Sequence, residues 1–138
     1  MNCDIVLLIA CICSGIVTST NLFVERWEDV RFSLNDVYRI GLLIGSMFAI
    51  TGLLTIHLGR VLMGLFLSVM CFALLRSQVF ITEDQYLRSI IPHQSAAIMM
   101  SKHLEEKPNS VSHLVDQIIQ SHQKSIIYMK GYVETNRL

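Results

Sequence analysis

The chain has 138 residues, 52% of them apolar, and a mean hydropathy of +0.50. That is the length of one ordinary domain with more apolar surface than a soluble domain can bury, so the surplus is expected to face lipid. Lys and Arg number 11 and so do Asp and Glu, for a formal net charge of zero, and no basic face stands out, which argues against nucleic acid as a partner.

The first apolar run extends from Ile5 to about Val24 and carries no charge. A helix needs about 20 residues to cross about 30 Å of hydrocarbon, and this run reaches that length. Leu8-Ile9-Ala10-Cys11 imitates a lipoprotein cleavage box. The leader before it is too short for a signal peptide, however, and Asp4 stands where a basic residue belongs, so a retained span is expected. Cys3, Cys11, Cys13 and Cys71 lie in or beside apolar runs. They are expected as reduced packing residues rather than a disulfide framework. Cys11 and Cys13, two apart on a helix, point to different sides.

Residues 25–38 form a polar link with Glu25, Arg26, Glu28, Asp29, Arg31 and Asp36. Trp27 is placed at headgroup level, where indoles are favoured, and a short interfacial helix fits there. The second span is expected over about 37–58. It contains Gly41-x-x-x-Gly45, then Ser46, Ala49 and Gly52. That spacing either lets a neighbouring helix approach closely or reflects the ordinary abundance of glycine in spans. A tight turn at His57-Leu58-Gly59-Arg60 leads to a third span over about 61–80, with Arg76 near its end positioned to snorkel. The second and third spans must then form an antiparallel hairpin, with His57 at the membrane surface and no chemical role. Arg26, Arg31, Arg39, Arg76 and Arg88 lie on the side of the link and the tail, against Arg60 on the other, which favours a cytosolic tail.

Thr82-x-x-Gln85 has the form of a capping box opening a helix. Pro92 is expected to bend or restart that helix, which continues through Ala96, Ala97, Ile98, Met99, Met100 and Leu104 to Lys107-Pro108-Asn109. Ser110 can cap a second helix. Val111, Leu114, Val115, Ile118, Ile119, Ile126, Ile127, Met129 and Val133 recur along it at three- and four-residue spacing. Two helices joined by so short a link lie antiparallel. His93 sits about as far before the link as His122 sits after it, so the two imidazoles are expected level, within about a turn. Imidazole and thioether are ligands that suit copper. Met100 and Met129 each stand seven residues beyond a histidine, about 10 Å along the axis, so a His93/His122 pair across the hairpin has better geometry than His93 with Met100. The same residues also read as an ordinary apolar seam, which methionine fills well. His103 and His113 flank the link and are expected in solvent.

Arg76-Ser77-Gln78, Tyr86, Ile91-Pro92-His93, Ala97 and Met100, followed by Asp116-Gln117-Ile118-Ile119 and Ile126-x-x-Met129, resemble the domain of unknown function 305 in its three-span membrane form. The resemblance extends over nearly the whole chain. It implies a ferritin-like helical tail and, by analogy with copper-binding members, a metal role for His93, Met100 and Met129. The family's usual Pro-His-His is here Pro-His-Gln94, and His122 and Ser125 stand where Gln and Glu are usual. No enzymatic activity comes with the resemblance.

The expected architecture is therefore all-α: a transmembrane region over 1–80 with spans at about 5–24, 37–58 and 61–80, then a membrane-anchored antiparallel helical hairpin over 81–138, a ferritin-like half bundle. Function is expected as a multi-pass membrane protein whose tail binds copper through His93, His122, Met100 and Met129. The alternative is a metal-free structural or interaction protein of a larger membrane assembly, such as a membrane-lined virion or an oligomeric complex. Its partners would be the bilayer and either another protein or further copies of itself. There is no nucleophile-base pair, carboxylate dyad or phosphate loop, so the chain is not expected to be an enzyme.

Overall fold

The computed structural model describes residues 3–19 and 23–135. Residues 20–22, in the last part of the first expected span, and 136–138 lie outside that description. Among the described residues the structure is all-helical: α1 (Cys3–Ser19), a 3-10 turn (Trp27–Asp29), α2 (Leu34–Leu54), α3 (Leu58–Ser77), α4 (Glu83–Glu105) and α5 (Ser112–Thr135). These divide into two compact units, one of α1, α2 and α3, the other of the connection up to Ser33 together with α4 and α5. The division departs from a boundary near residue 80 in one respect: the connection between the first two helices folds with the tail.

In the first unit, α2 and α3 are each long and apolar enough to cross a membrane, whereas the apolar part of α1, Ile5–Val17, is shorter. α2 and α3 lie back to back along the small residues that the sequence spaces four apart. A methyl group on Gly45 would stand 2.7 Å from the Ser68 backbone nitrogen and 2.8 Å from the Gly64 carbonyl oxygen. Gly64 in turn lies against the Ala49 backbone, and Gly41 against the Cys71 thiol. The Gly41/Gly45 spacing therefore serves a contact inside the chain: at Gly45 the backbones approach too closely for any side chain, and at Gly41 the missing side chain leaves room for the Cys71 thiol. α1 packs on α2 through Gly15, opposite Ile40. Cys11 and Cys71 are buried and Cys13 is exposed, all as free thiols.

The exit from α3 is locked by polar contacts. Gln78 has a left-handed backbone (φ 52°). Its amide exchanges two hydrogen bonds with Asn35, Gln78 Nε2 to Asn35 Oδ1 at 3.2 Å and Asn35 Nδ2 to Gln78 Oε1 at 3.4 Å. The Tyr38 hydroxyl donates to the Val79 carbonyl at 2.8 Å. Gln78 Nε2 also donates to the Leu75 carbonyl at 2.6 Å, satisfying a group that the helix end leaves open.

In the second unit, Thr82 caps α4 by accepting from the Gln85 N–H at 3.4 Å, as the Thr-x-x-Gln pattern predicts. α4 is continuous across Pro92, which is buried, so the helix does not restart there. The link after α4 is organised by Asn109, which donates to the Leu104 and Lys107 carbonyls and accepts from the Val111 N–H at 3.1 Å. Asn109, not Ser110, thus shapes the entry to α5. The Tyr132 hydroxyl donates to Glu83 Oε2 at 2.9 Å, joining the end of α5 to the start of α4, so the two helices run antiparallel. Their seam is an apolar core of Ile91, Ile98, Ile126 and Met129, with Leu87, Ile90 and Ile119 packed around it. Each such side chain contributes about 1.5–3 kcal/mol on full burial.

Candidate functional site

The four residues expected to hold metal fall in different environments. Met129 is in the apolar core, at 8% exposure. His93 is exposed, and so is Met100. At 100° per residue His93 lies about 200° round α4 from Ile91, on the side away from the seam, with Met100 on that same outward stripe. His122 is half-buried, and its Nδ1 lies 3.3 Å from the Ser121 hydroxyl. The Tyr132–Glu83 contact sets a register in which positions 93 and 122 are level. Level alone does not bring the imidazoles together, because the seam takes Ile90, Ile91 and Ile98 and turns His93 outward. Among the described residues there is no group of three or more His, Cys, Asp or Glu placed to hold a metal ion.

What the seam does bring together is Gln94, Ser125 and Met129. They line a cleft of about 500 Å3 along one flank of α4 and α5, with Tyr86 and Tyr128 at its sides and Lys124 on its wall. Gln94 and Ser125 occupy the positions at which the chain departs from the pattern it resembles. Ser125 donates to the Ser121 carbonyl at 2.9 Å, while Gln94 Oε1 is buried with no hydrogen-bond partner.

The strongest electrostatic feature lies on another face of the pair. Ser95, fully buried, donates to Asp29 Oδ2 at 2.7 Å and accepts from the Glu25 backbone N–H at 3.0 Å. Asp29 is 2% exposed, and its other carboxylate oxygen is ion-paired with Lys130. Lys130 also lies 3.6 Å from Glu28, and Lys102 meets Glu25 Oε1 at 2.5 Å. The 3-10 turn presents these acids: Asp29 N–H bonds the Arg26 carbonyl at 2.9 Å and Val30 N–H the Trp27 carbonyl at 3.2 Å. Trp27 itself points into the surroundings, 77% exposed. A carboxylate taken out of water is tolerated only when its oxygens are matched, and here a cation and a hydroxyl match them. Ser, Asp and Lys in contact resemble an acid–base set. Yet the Ser95 hydroxyl has its proton and one lone pair engaged and is fully buried, so the arrangement fastens chain to chain.

Periodicity alone did not reveal this clasp. One signal was available: Ser95 interrupts the Ile91–Ile98 stripe at core spacing, and a serine there requires a buried polar partner.

No family model matches the chain, and no solved structure matches it; the likeness to the domain of unknown function 305 rests on the quoted residues alone. Among the described residues the fold is all-helical, with two helices of membrane-crossing length. The chain is 31% identical to Uncharacterized protein L153 of Acanthamoeba polyphaga mimivirus, over 100% of its own length and 97% of that protein's. It belongs to the same family as that viral protein.

Proposed function

We propose that this is a multi-pass membrane protein that acts as a structural or docking component of a larger membrane assembly, a membrane-lined virion or an oligomeric complex, and not as an enzyme. In this reading α1, α2 and α3 all span, and the connection with α4 and α5 forms a folded module on one side. The observation that carries it is the pair of helices α2 and α3, each of membrane-crossing length and apolarity, packed through backbone contacts of the kind that drive association in lipid. The clasp adds support. It fastens the connection to the tail, which requires both on one side of a bilayer, as three spans do. The surplus of arginines on that side favours the cytosolic face. The viral relative is consistent with a role in a virus-built assembly.

The metal-free form of the reading fits the geometry better than copper binding. A single ion would have to draw His93 from the outer face of α4 toward His122, with Met129 held in the core. Extraction of cell membranes with alkaline carbonate is expected to leave the protein in the pellet, and release into the supernatant would refute the membrane reading. Elemental analysis of the purified protein is expected to find well under one copper per chain; one tightly held copper lost in His122→Ala would restore the metal reading.

A further inference from the structure

The turn between α2 and α3 has features unlike those of an aqueous loop. Leu53, Leu54, Ile56 and Leu58 are 71%, 79%, 94% and 70% exposed, so its tip displays apolar side chains outward in a cluster. Its backbone closes on itself. Thr55 N–H bonds the Thr51 carbonyl at 3.0 Å, Ile56 N–H the Leu53 carbonyl at 3.2 Å and His57 N–H the Gly52 carbonyl at 2.8 Å. Arg60 and Val61 N–H both bond the His57 carbonyl, and Thr55 Oγ1 donates to the Thr51 carbonyl at 2.8 Å. The last two bonds of α2 form a Schellman end with Ile56 as its left-handed residue (φ 52°), a place that glycine normally takes. A β-branched residue is strained in that conformation, and exposure to water gives that side chain nothing in return.

Length points the same way. Between Arg39 and the end of α2 there are roughly 15 uncharged residues, and between Arg60 and Arg76 again roughly 15, so each leg offers about 22 Å of charge-free helix against about 30 Å of hydrocarbon. The end bearing Asp36, Arg39, Arg76 and the Asn35–Gln78 amide pair is anchored at an interface by its polarity. The shortfall is therefore taken up at the other end, where the N–H groups of Thr55, Ile56, His57, Arg60 and Val61 are already bonded to carbonyls of the same segment.

We propose that the α2–α3 turn is sunk in the acyl-chain region of the far leaflet, with Leu54, Ile56 and Leu58 in hydrocarbon, and with Arg60 and His57 reaching outward to lipid phosphates. Arg60, held toward Thr55 by a hydrogen bond at 3.3 Å, has the long side chain such a reach needs. The inference rests on the membrane reading above and adds the depth of the turn. The test uses the full chain with its native cysteines replaced, in vesicles of phosphatidylcholine and phosphatidylglycerol. Ile56→Cys and Leu54→Cys are compared with Lys107→Cys in the exposed α4–α5 link, with a membrane-impermeant maleimide supplied on both sides. The two turn sites are expected to react at least tenfold more slowly than position 107, with the difference vanishing in detergent. Equal rates in protein that floats with the vesicles overturn the proposal alone. Failure to float overturns the membrane reading with it.

Discussion

Asp29 joins Ser95 and Lys130 across long stretches of sequence, one carboxylate oxygen accepting from the hydroxyl and the other facing the cation. Removing Asp29 leaves a cation at 19% side-chain exposure and a buried hydroxyl without its acceptor. Asp29→Ala is therefore expected to destabilise the full-length protein in detergent by about 3–5 kcal/mol in chemical denaturation. The double change Asp29→Leu with Lys130→Met should recover most of that, because it removes both charges together. A loss below about 1 kcal/mol for Asp29→Ala would show that the clasp is an ordinary exposed ion pair. At the other end of the pair, the Tyr132 phenol is raised above its ordinary value, first by its hydrogen bond to Glu83 and then by that carboxylate's charge. A raised acid favours its neutral form in the fold. The contact thus contributes below the ordinary tyrosine value and is lost as pH rises through the raised one. Difference titration at 295 nm against Tyr132→Phe should place this phenol above free tyrosine, and Glu83→Ala, which removes both the acceptor and the charge, should return it.

At the scale of helices, the pairing of α2 with α3 depends on absent side chains. Gly45→Leu would drive a branched side chain into the Ser68 and Gly64 backbone. Overpacking of this kind costs about 1–3 kcal/mol, and the melting temperature in detergent should fall by several degrees. Gly131→Ala, where a methyl group meets nothing within 4 Å, serves as the control and should leave it unchanged or slightly raised. Much at this scale was legible in sequence. Uncharged runs marked the apolar helices and Thr82-x-x-Gln85 marked the start of α4, whereas glycine spacing left a close helix contact as one of two readings. Boundaries were less legible because end contacts decide them. α2 starts at Leu34, with Asp36 paired to Arg39 in its first turns, and α4 passes through Pro92 because the apolar seam holds both sides of it. For the candidate site, counting from the link estimated the level of His93 and His122, but it left open which residues turn inward. That choice followed the apolar stripe of Ile91 and Ile98, which carries Ser95 with it. Partners as remote as Asp29 and Lys130 leave no periodic trace in the sequence.

For the whole molecule, the proposed membrane reading puts the apolar helices of one unit in lipid and leaves the other unit, which takes in the connection between the first two helices, facing water. Residues 25–29 and α4–α5 then have to share one side of the membrane, whichever side that is. The most direct measurement places single cysteines at Trp27 and at His103, both exposed, in the otherwise cysteine-free chain in sealed, oriented vesicles, and labels them with an impermeant maleimide. Labelling of both positions from the same face, with the protein floating with the vesicles, is the result predicted. Labelling from opposite faces, or rapid labelling of both in protein that stays in the soluble fraction, would contradict it.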